Sequence, residues 1–138
     1  MAAERSKIEI VRAAVDAWSD GEWDRAFELT TPDVVVDNSK VQGEWRGVHE
    51  GREQFVLMLK RFSEPWESVR LEVVEDYDAG SRLITLVLGH FQGREGIELT
   101  IRVWMCWAFR DGLLSRILIS NELEDALAEA ELDALPAA

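Results

Sequence analysis

Val103-Trp104-Met105-Cys106-Trp107-Ala108-Phe109, followed by Arg110-Asp111-Gly112 and then Leu113 to Ser120, is the stretch on which the fold turns. An extended chain sends successive side chains to opposite faces. Val103, Met105, Trp107 and Phe109 therefore point one way, and Trp104, Cys106 and Ala108 the other. Asp111-Gly112 is a hairpin signal, because both residue types tolerate the positive φ of a two-residue turn. In the returning strand Ile117 and Ile119 oppose Leu118, so it too is apolar on both faces. An antiparallel sheet with one wet face alternates apolar and polar residues, and this hairpin does not. Each face needs a cover. Helices of the chain can supply one, and the sequence points to a second copy of the protein for the other.

Further strands precede the hairpin. Gly93 to Gly96 turns the chain from Leu83–Phe91 into Ile97–Phe109, and Asp78-Ala79-Gly80-Ser81 turns it into Leu83. Val69, Leu71 and Val73 alternate with Arg70 and Glu72, as in a half-buried strand. Val34-Val35-Val36 is β-branched throughout and so favours the extended state. Helices account for the rest. Ser6 and Glu9 have capping-box spacing, and Ile8, Val11, Val15 and Trp18 then line one helical face up to the stop at Asp20-Gly21. A second helix, about Trp23 to Leu29, ends at Thr31-Pro32. A third, about Glu50 to Phe62, carries Phe55, Leu59 and Phe62 on one stripe and ends before Pro65. Leu123, Ala126, Leu127, Ala130 and Leu135 mark an amphipathic terminal helix.

The 138 residues suit one domain, 1–138 with a core of about 8–132. They include 27 acids against 15 bases, a net charge of −12. Half of that charge falls on 122–138, which holds six acids and no base, the pattern of a solvated helix face. Such a balance argues against nucleic acid or an anionic membrane as partner. A lone Cys106 and two histidines give neither a disulfide framework nor a zinc spacing, so no metal or cofactor is expected. No apolar run approaches a membrane span, and Ala2 to Lys7 lacks the apolar core of a signal peptide. The expected setting is the cytoplasm.

Particular residues then carry a resemblance. Ala17-Trp18-Ser19-Asp20-Gly21-Glu22-Trp23-Asp24, followed by Thr31-Pro32-Asp33-Val34-Val35-Val36-Asp37, is similar to the opening of the SnoaL-like family. That family belongs to the nuclear-transport-factor-2-like superfamily, which also contains ketosteroid isomerases. Trp45-Arg46-Gly47 with Gly51-Arg52-Glu53 resembles its aromatic-Arg-Gly segment, Trp107 to Gly112 its final hairpin, and Glu124 to Ala130 its terminal helix. The resemblance implies an α+β fold in which a cone-shaped, curved antiparallel sheet wraps around three to four helices and encloses a conical cavity. It also implies dimers formed through the outer sheet face, here His90, Arg102, Trp104, Cys106 and Leu118. Members include isomerases, polyketide cyclases, epoxide hydrolases and dehydratases, so fold does not decide function.

The catalytic positions implied by the resemblance are altered. Ketosteroid isomerases use a carboxylate base at the end of the first strand, with a tyrosine and a protonated acid as oxyanion hole. Those positions fall on Asn38, Ala14 and Met105. An amide is a poor proton acceptor, alanine donates nothing and methionine accepts weakly. The epoxide-hydrolase pattern of Arg and Asp two apart meets Arg102 and Trp104, and the last strand ends in Ser120-Asn121.

Four residues remain as candidates for chemistry. Asn38 can donate to a ligand carbonyl or close a turn towards Ser39. Asp37 lies on the opposite face and becomes a base only if the register shifts by one. Asn121 follows Ile117 and Ile119 at spacing two, facing the cavity or capping the terminal helix. His90 is a natural acid/base, yet its register with Leu86 and Leu88 puts it on the outer face. His49 is expected exposed in the loop before the third helix, and Tyr77 partly exposed at a strand end.

Six tryptophans say more. Trp is bulky and rarely fully buried, and its N–H seeks a partner, which suits it to cavity walls. The resemblance puts Trp18, Trp45, Trp66 and Trp107 where the family's cavity is lined or lidded, and Val87, Phe91, Val103, Met105, Ile117 and Ile119 are expected to complete its wall. The expected ligand is a small hydrophobic molecule, polyketide- or steroid-like. The chain then acts as an isomerase, cyclase or hydrolase without cofactor, or as a non-catalytic binding or assembly module.

Overall fold

A computed structural model of the chain describes residues 6–41 and 46–136. The first helix, α1 (Lys7–Asp20), begins where the Ser6 hydroxyl accepts from the Glu9 N–H at 3.3 Å. It ends at Gly21, whose φ of 69° is the left-handed cap that glycine adopts without penalty. Its buried face comprises Ile10, Val11, Ala14, Val15, Ala17 and Trp18. α2 (Trp23–Glu28) leads into β1 (Thr30–Lys40), then β2 (Val48–Glu50) and α3 (Arg52–Ser63). Four long strands and a helix follow: β3 (Ser68–Ala79), β4 (Arg82–Gln92), β5 (Glu98–Arg110), β6 (Leu113–Ser120) and α4 (Leu123–Glu129).

The six strands form one curved, unclosed sheet in the order β2-β1-β6-β5-β4-β3. It is mixed rather than antiparallel throughout. β1 runs parallel to β6, with Val36 beside Ile117, while the other neighbours are antiparallel. Sequence periodicity within a strand is blind to the direction of its neighbour, which explains the difference. The short strand β2 was expected as loop. Gly51, with φ of 92°, separates it from α3 and donates its N–H to the Val34 carbonyl at 2.7 Å. α3 therefore starts at Arg52 rather than Glu50, and His49 is a half-buried strand residue.

α1, α2 and α3 lie on the inner face. Val11, Ala26, Phe55, Val34, Val36, Trp107, Leu114 and Ile117 are sealed there. α1 also tends the free edge of the sheet, where the Leu71 N–H donates to the Ser19 hydroxyl at 2.9 Å. Asp111 and Gly112, with φ of 54° and 77°, make the turn between β5 and β6.

The outer face holds the main correction. Trp104, Cys106 and Leu118, expected to be covered by a second copy, are buried by the chain itself. They form a cluster with Ile84, Leu86 and Ala126, flanked by Leu123, Leu127, Ala130, Leu132 and Leu135. The apolar stripe of the terminal segment thus lies on the sheet, while Glu122, Glu124, Glu131 and Asp133 face water. Arg116 fastens it, with its guanidinium on Glu129 and 3.4 Å from Asp37. A Ser120 hydroxyl 2.6 Å from Asp125 and 3.0 Å from the Glu122 N–H holds the start of α4, the role considered for Asn121. Burial pushes the Cys106 thiol up to about 11, so it stays protonated and inert beneath the helix.

This arrangement fixes an outcome. Ala126 is 0% exposed, and an unpaired carboxylate there costs several kcal/mol unless α4 lifts. Ala126→Asp is expected to raise the rate of Cys106 modification by a thiol reagent at least tenfold, on the order of 1.4 kcal/mol of protection lost. An unchanged rate, with the variant folded by circular dichroism, contradicts the covering role of α4.

Candidate functional site

Between the inner face and α3 the side chains enclose a cavity of about 310 Å³. This is at the small end of ligand cavities, which run to roughly 300–1,000 Å³. The sheet supplies Leu71 from β3, Val87, Gly89 and Phe91 from β4, Ile101, Val103 and Met105 from β5, and Ile119 from β6. α3 supplies Met58, Leu59 and Phe62, and Trp18, Asn38, Val41 and Asn121 complete the lining.

At the deep end the molecule is solid. Trp18 stacks on Trp107, with centroids 5.6 Å apart and planes at 28°, and Phe55 meets Trp18 edge-on at 5.4 Å. The Trp107 indole donates to the Thr85 hydroxyl at 2.9 Å, and both are sealed from water. Trp107 and Ile117, expected in the cavity wall, are instead core behind it. Bulk alone does not tell a wall from the layer below. Trp66 also lies outside the lining, packed on Phe91 at 5.2 Å. Trp45 falls outside the described residues.

Polar chemistry within the lining reduces to amides and one indole. Asn38 is 5% exposed. Its Oδ1 accepts from the Gly47 N–H at 2.9 Å, and its backbone N–H donates to the Gly47 carbonyl. That pairing fixes the amide, leaving Nδ2 3.5 Å from the Met58 thioether, a weak acceptor. Asn121 Nδ2 is 3.5 Å from the Arg102 carbonyl. Trp18 Nε1 is buried and has no acceptor among the described residues. The cavity therefore presents amide N–H donors with weak partners, while the Trp18 N–H is sealed within the wall.

Among the described residues none in the lining carries an ionisable side chain. Asp37, next to Asn38, points to the outer face. Burial there would raise its carboxyl, but the Ser39 hydroxyl and N–H at 2.6 and 3.0 Å, with Arg116, bring it below its ordinary value. It is a structural anion of the α4 clamp. His90 is also on the outer face, paired in register with Arg70 and Thr100 and 3.4 Å from a Glu72 oxygen. Arg102 is exposed there, its guanidinium 5.9 Å from the Trp104 ring. Tyr77 borders the outer cluster and donates to Glu75, which raises its hydroxyl pKa. Of the isomerase-like positions, Ala14 is core, while Asn38 and Met105 reach the cavity. Among the described residues no group of acids, histidines and cysteine is placed to hold a metal. No helix among them is long and apolar enough to cross a membrane.

The sequence reading left out Val41, Met58, Leu59, Phe62, Leu71, Gly89 and Ile101. Strand alternation could have supplied Gly89 from Val87 and Ile101 from Val103. The α3 stripe could have supplied Leu59 and Phe62.

With this geometry in view, likeness to known proteins can be judged. The sequence pattern of the SnoaL-like domain matches residues 11–117. Among curated proteins none matches the sequence. A protein with a ketosteroid isomerase-like fold from Catenulispora acidiphila, in complex with trimethylamine, is 19% identical at a TM-score of 0.73, covering 95% of this chain and 100% of its own. A putative polyketide cyclase from Sinorhizobium meliloti is 19% identical at 0.67, over 81% of this chain and 94% of its own. A Mycobacterium tuberculosis protein in complex with estradiol-17β-hemisuccinate is 11% identical at 0.73, over 85% and 94%. At such identities the likeness is one of fold.

The Thr85–Trp107 bond gives the second expected outcome. Thr85→Val preserves shape but strands a buried indole N–H, at a cost of about 1–3 kcal/mol. Urea denaturation measures it, and a variant as stable as the parent contradicts the assigned bond.

Proposed function

The chain belongs to the SnoaL-like domain family, and from that premise we propose that it binds a small, uncharged, hydrophobic molecule carrying a carbonyl oxygen. The observation that carries this reading is the pairing of an apolar wall, without ionisable side chains among the described residues, with amide N–H donors that lack good acceptors. A buried charge would find no counter-charge there and would meet a heavy desolvation cost. A ketone oxygen at the Asn38 amide exchanges a thioether contact for a true hydrogen bond. Flat multi-ring skeletons of the polyketide or steroid kind suit walls of Trp18, Phe62 and Phe91. The estradiol derivative held by the Mycobacterium tuberculosis protein belongs to that shape class.

The same geometry favours binding over turnover. Acid/base catalysis needs a titrating group within reach of the ligand, and Asp37 and His90 both face outward. A homodimer formed through the outer sheet face would use the part around Leu88, His90 and Arg102 rather than Trp104, Cys106 and Leu118, which α4 covers.

Isothermal titration with 9-fluorenone and its hydrocarbon partner fluorene tests the reading. The parent protein is expected to bind both saturably, the ketone about 3–10-fold more tightly, the worth of one hydrogen bond. Asn38→Leu is expected to erase that difference while keeping the hydrocarbon within about threefold. Absence of saturable binding by either compound, in the folded protein, contradicts the proposal.

A further inference from the structure

Gly89 lies on the inner face of β4 between Val87 and Phe91, and all three line the cavity. A β-carbon built on Gly89 would stand 2.7 Å from Phe91 Cε2, 3.0 Å from Phe91 Cζ and 3.2 Å from Ile101 Cγ1. The first of these is closer than real side chains approach. The Phe91 ring therefore leans back over the glycine and uses the space a side chain would fill. The backbone at Gly89 is not in the left-handed region, so conformation does not require glycine. Glycine inside a strand weakens it and marks a close approach.

The ring is held on its other sides too. Phe62 meets Phe91 edge-on, with centroids 5.4 Å apart and planes at 79°, and Trp66 packs at 5.2 Å and 47°. Trp66 in turn rests on Gly93, where a β-carbon would come within 3.3 Å of the indole. Two glycines thus flank Phe91, each yielding its side-chain volume to an aromatic ring. Phe91 is 2% exposed within this clamp. With Phe62 and Trp66 against it, a ring displaced from Gly89 has only the cavity to enter.

We propose that Gly89 is a specificity-determining residue of the cavity: its missing side chain lets Phe91 lie against the sheet and so sets the largest ligand admitted. The inference rests on the binding reading above for its ligand class, namely uncharged multi-ring ketones. Its structural half stands on the ring and the glycine alone.

The test pairs a ligand-free crystal structure of Gly89→Ala with titrations of 1-indanone and progesterone. Alanine adopts extended backbone readily, so the variant is expected to fold. In its structure the Phe91 ring should be rotated into a smaller cavity. Progesterone affinity should fall at least tenfold, with 1-indanone within threefold of the parent. Gly89→Ala/Phe91→Leu should restore progesterone binding, and Phe91→Leu alone should bind it at least as tightly as the parent. An unmoved ring and unchanged cavity in Gly89→Ala overturn the inference, as does parent-like progesterone binding by that variant. A parent protein that binds neither ketone contradicts the binding reading instead, and the ring position in Gly89→Ala still decides the role of Gly89.

Discussion

A strand that is apolar on both faces cannot rest in a sheet with a wet side, and β5 is such a strand. Met105 and Trp107 face one way and Trp104 and Cys106 the other, and all four are buried. Everything else in the chain answers that constraint. α1 to α3 cover the inner face, and α4 with Leu132 and Leu135 closes over Trp104, Cys106 and Leu118. Each side chain of this size contributes roughly 1.5–3 kcal/mol when removed from water. The Arg116–Glu129–Asp37 cluster adds orientation to the second cover, since exposed or half-exposed ion pairs contribute little energy.

The two covers differ in completeness, and function follows from the difference. The terminal segment packs flush. The inner helices pack flush only around Trp107 and Ile117, where Trp18 and Phe55 fill the narrow end. Towards the other end α3 stands off the sheet and leaves room among Met58, Val103 and Phe91. Among the described residues that space is lined almost wholly by carbon, with the Asn38 and Asn121 amides as its polar features. Asn38 illustrates how local bonding defines chemistry. An asparagine can show either end of its amide, and the Gly47 N–H claims the oxygen, so the cavity receives the donor. A neighbour only one residue away, Asp37, is spent on the opposite face holding α4.

Much of this was legible in the residues. Alternation in β5 and β6, the Ser6 N-cap and the Asp111-Gly112 turn each follow from local rules, and the structure has them in place. The same period of two sets Asp37 and Asn38 on opposite faces of β1 without saying which of them meets the cavity. Three features were not legible for a common reason, since each depends on what lies across space. Strand direction between β1 and β6 leaves no trace in either strand. The cover of the outer face could come from α4 or from a second copy, and an amphipathic stripe fits both. Whether Trp107 forms wall or core depends on Trp18 lying over it. Gly89 was hidden differently, because a missing side chain draws no notice until a neighbouring ring is seen to occupy its place.

The central claim is a ligand cavity in which no described residue carries an ionisable side chain, and the pH dependence of binding tests it most directly. Affinity for an uncharged ketone such as 9-fluorenone, measured by calorimetry from pH 5.5 to 9, is predicted to stay constant within about twofold, because no proton is gained or lost at the site. A tenfold step within that range would place an ionising side chain at the ligand and contradict the account.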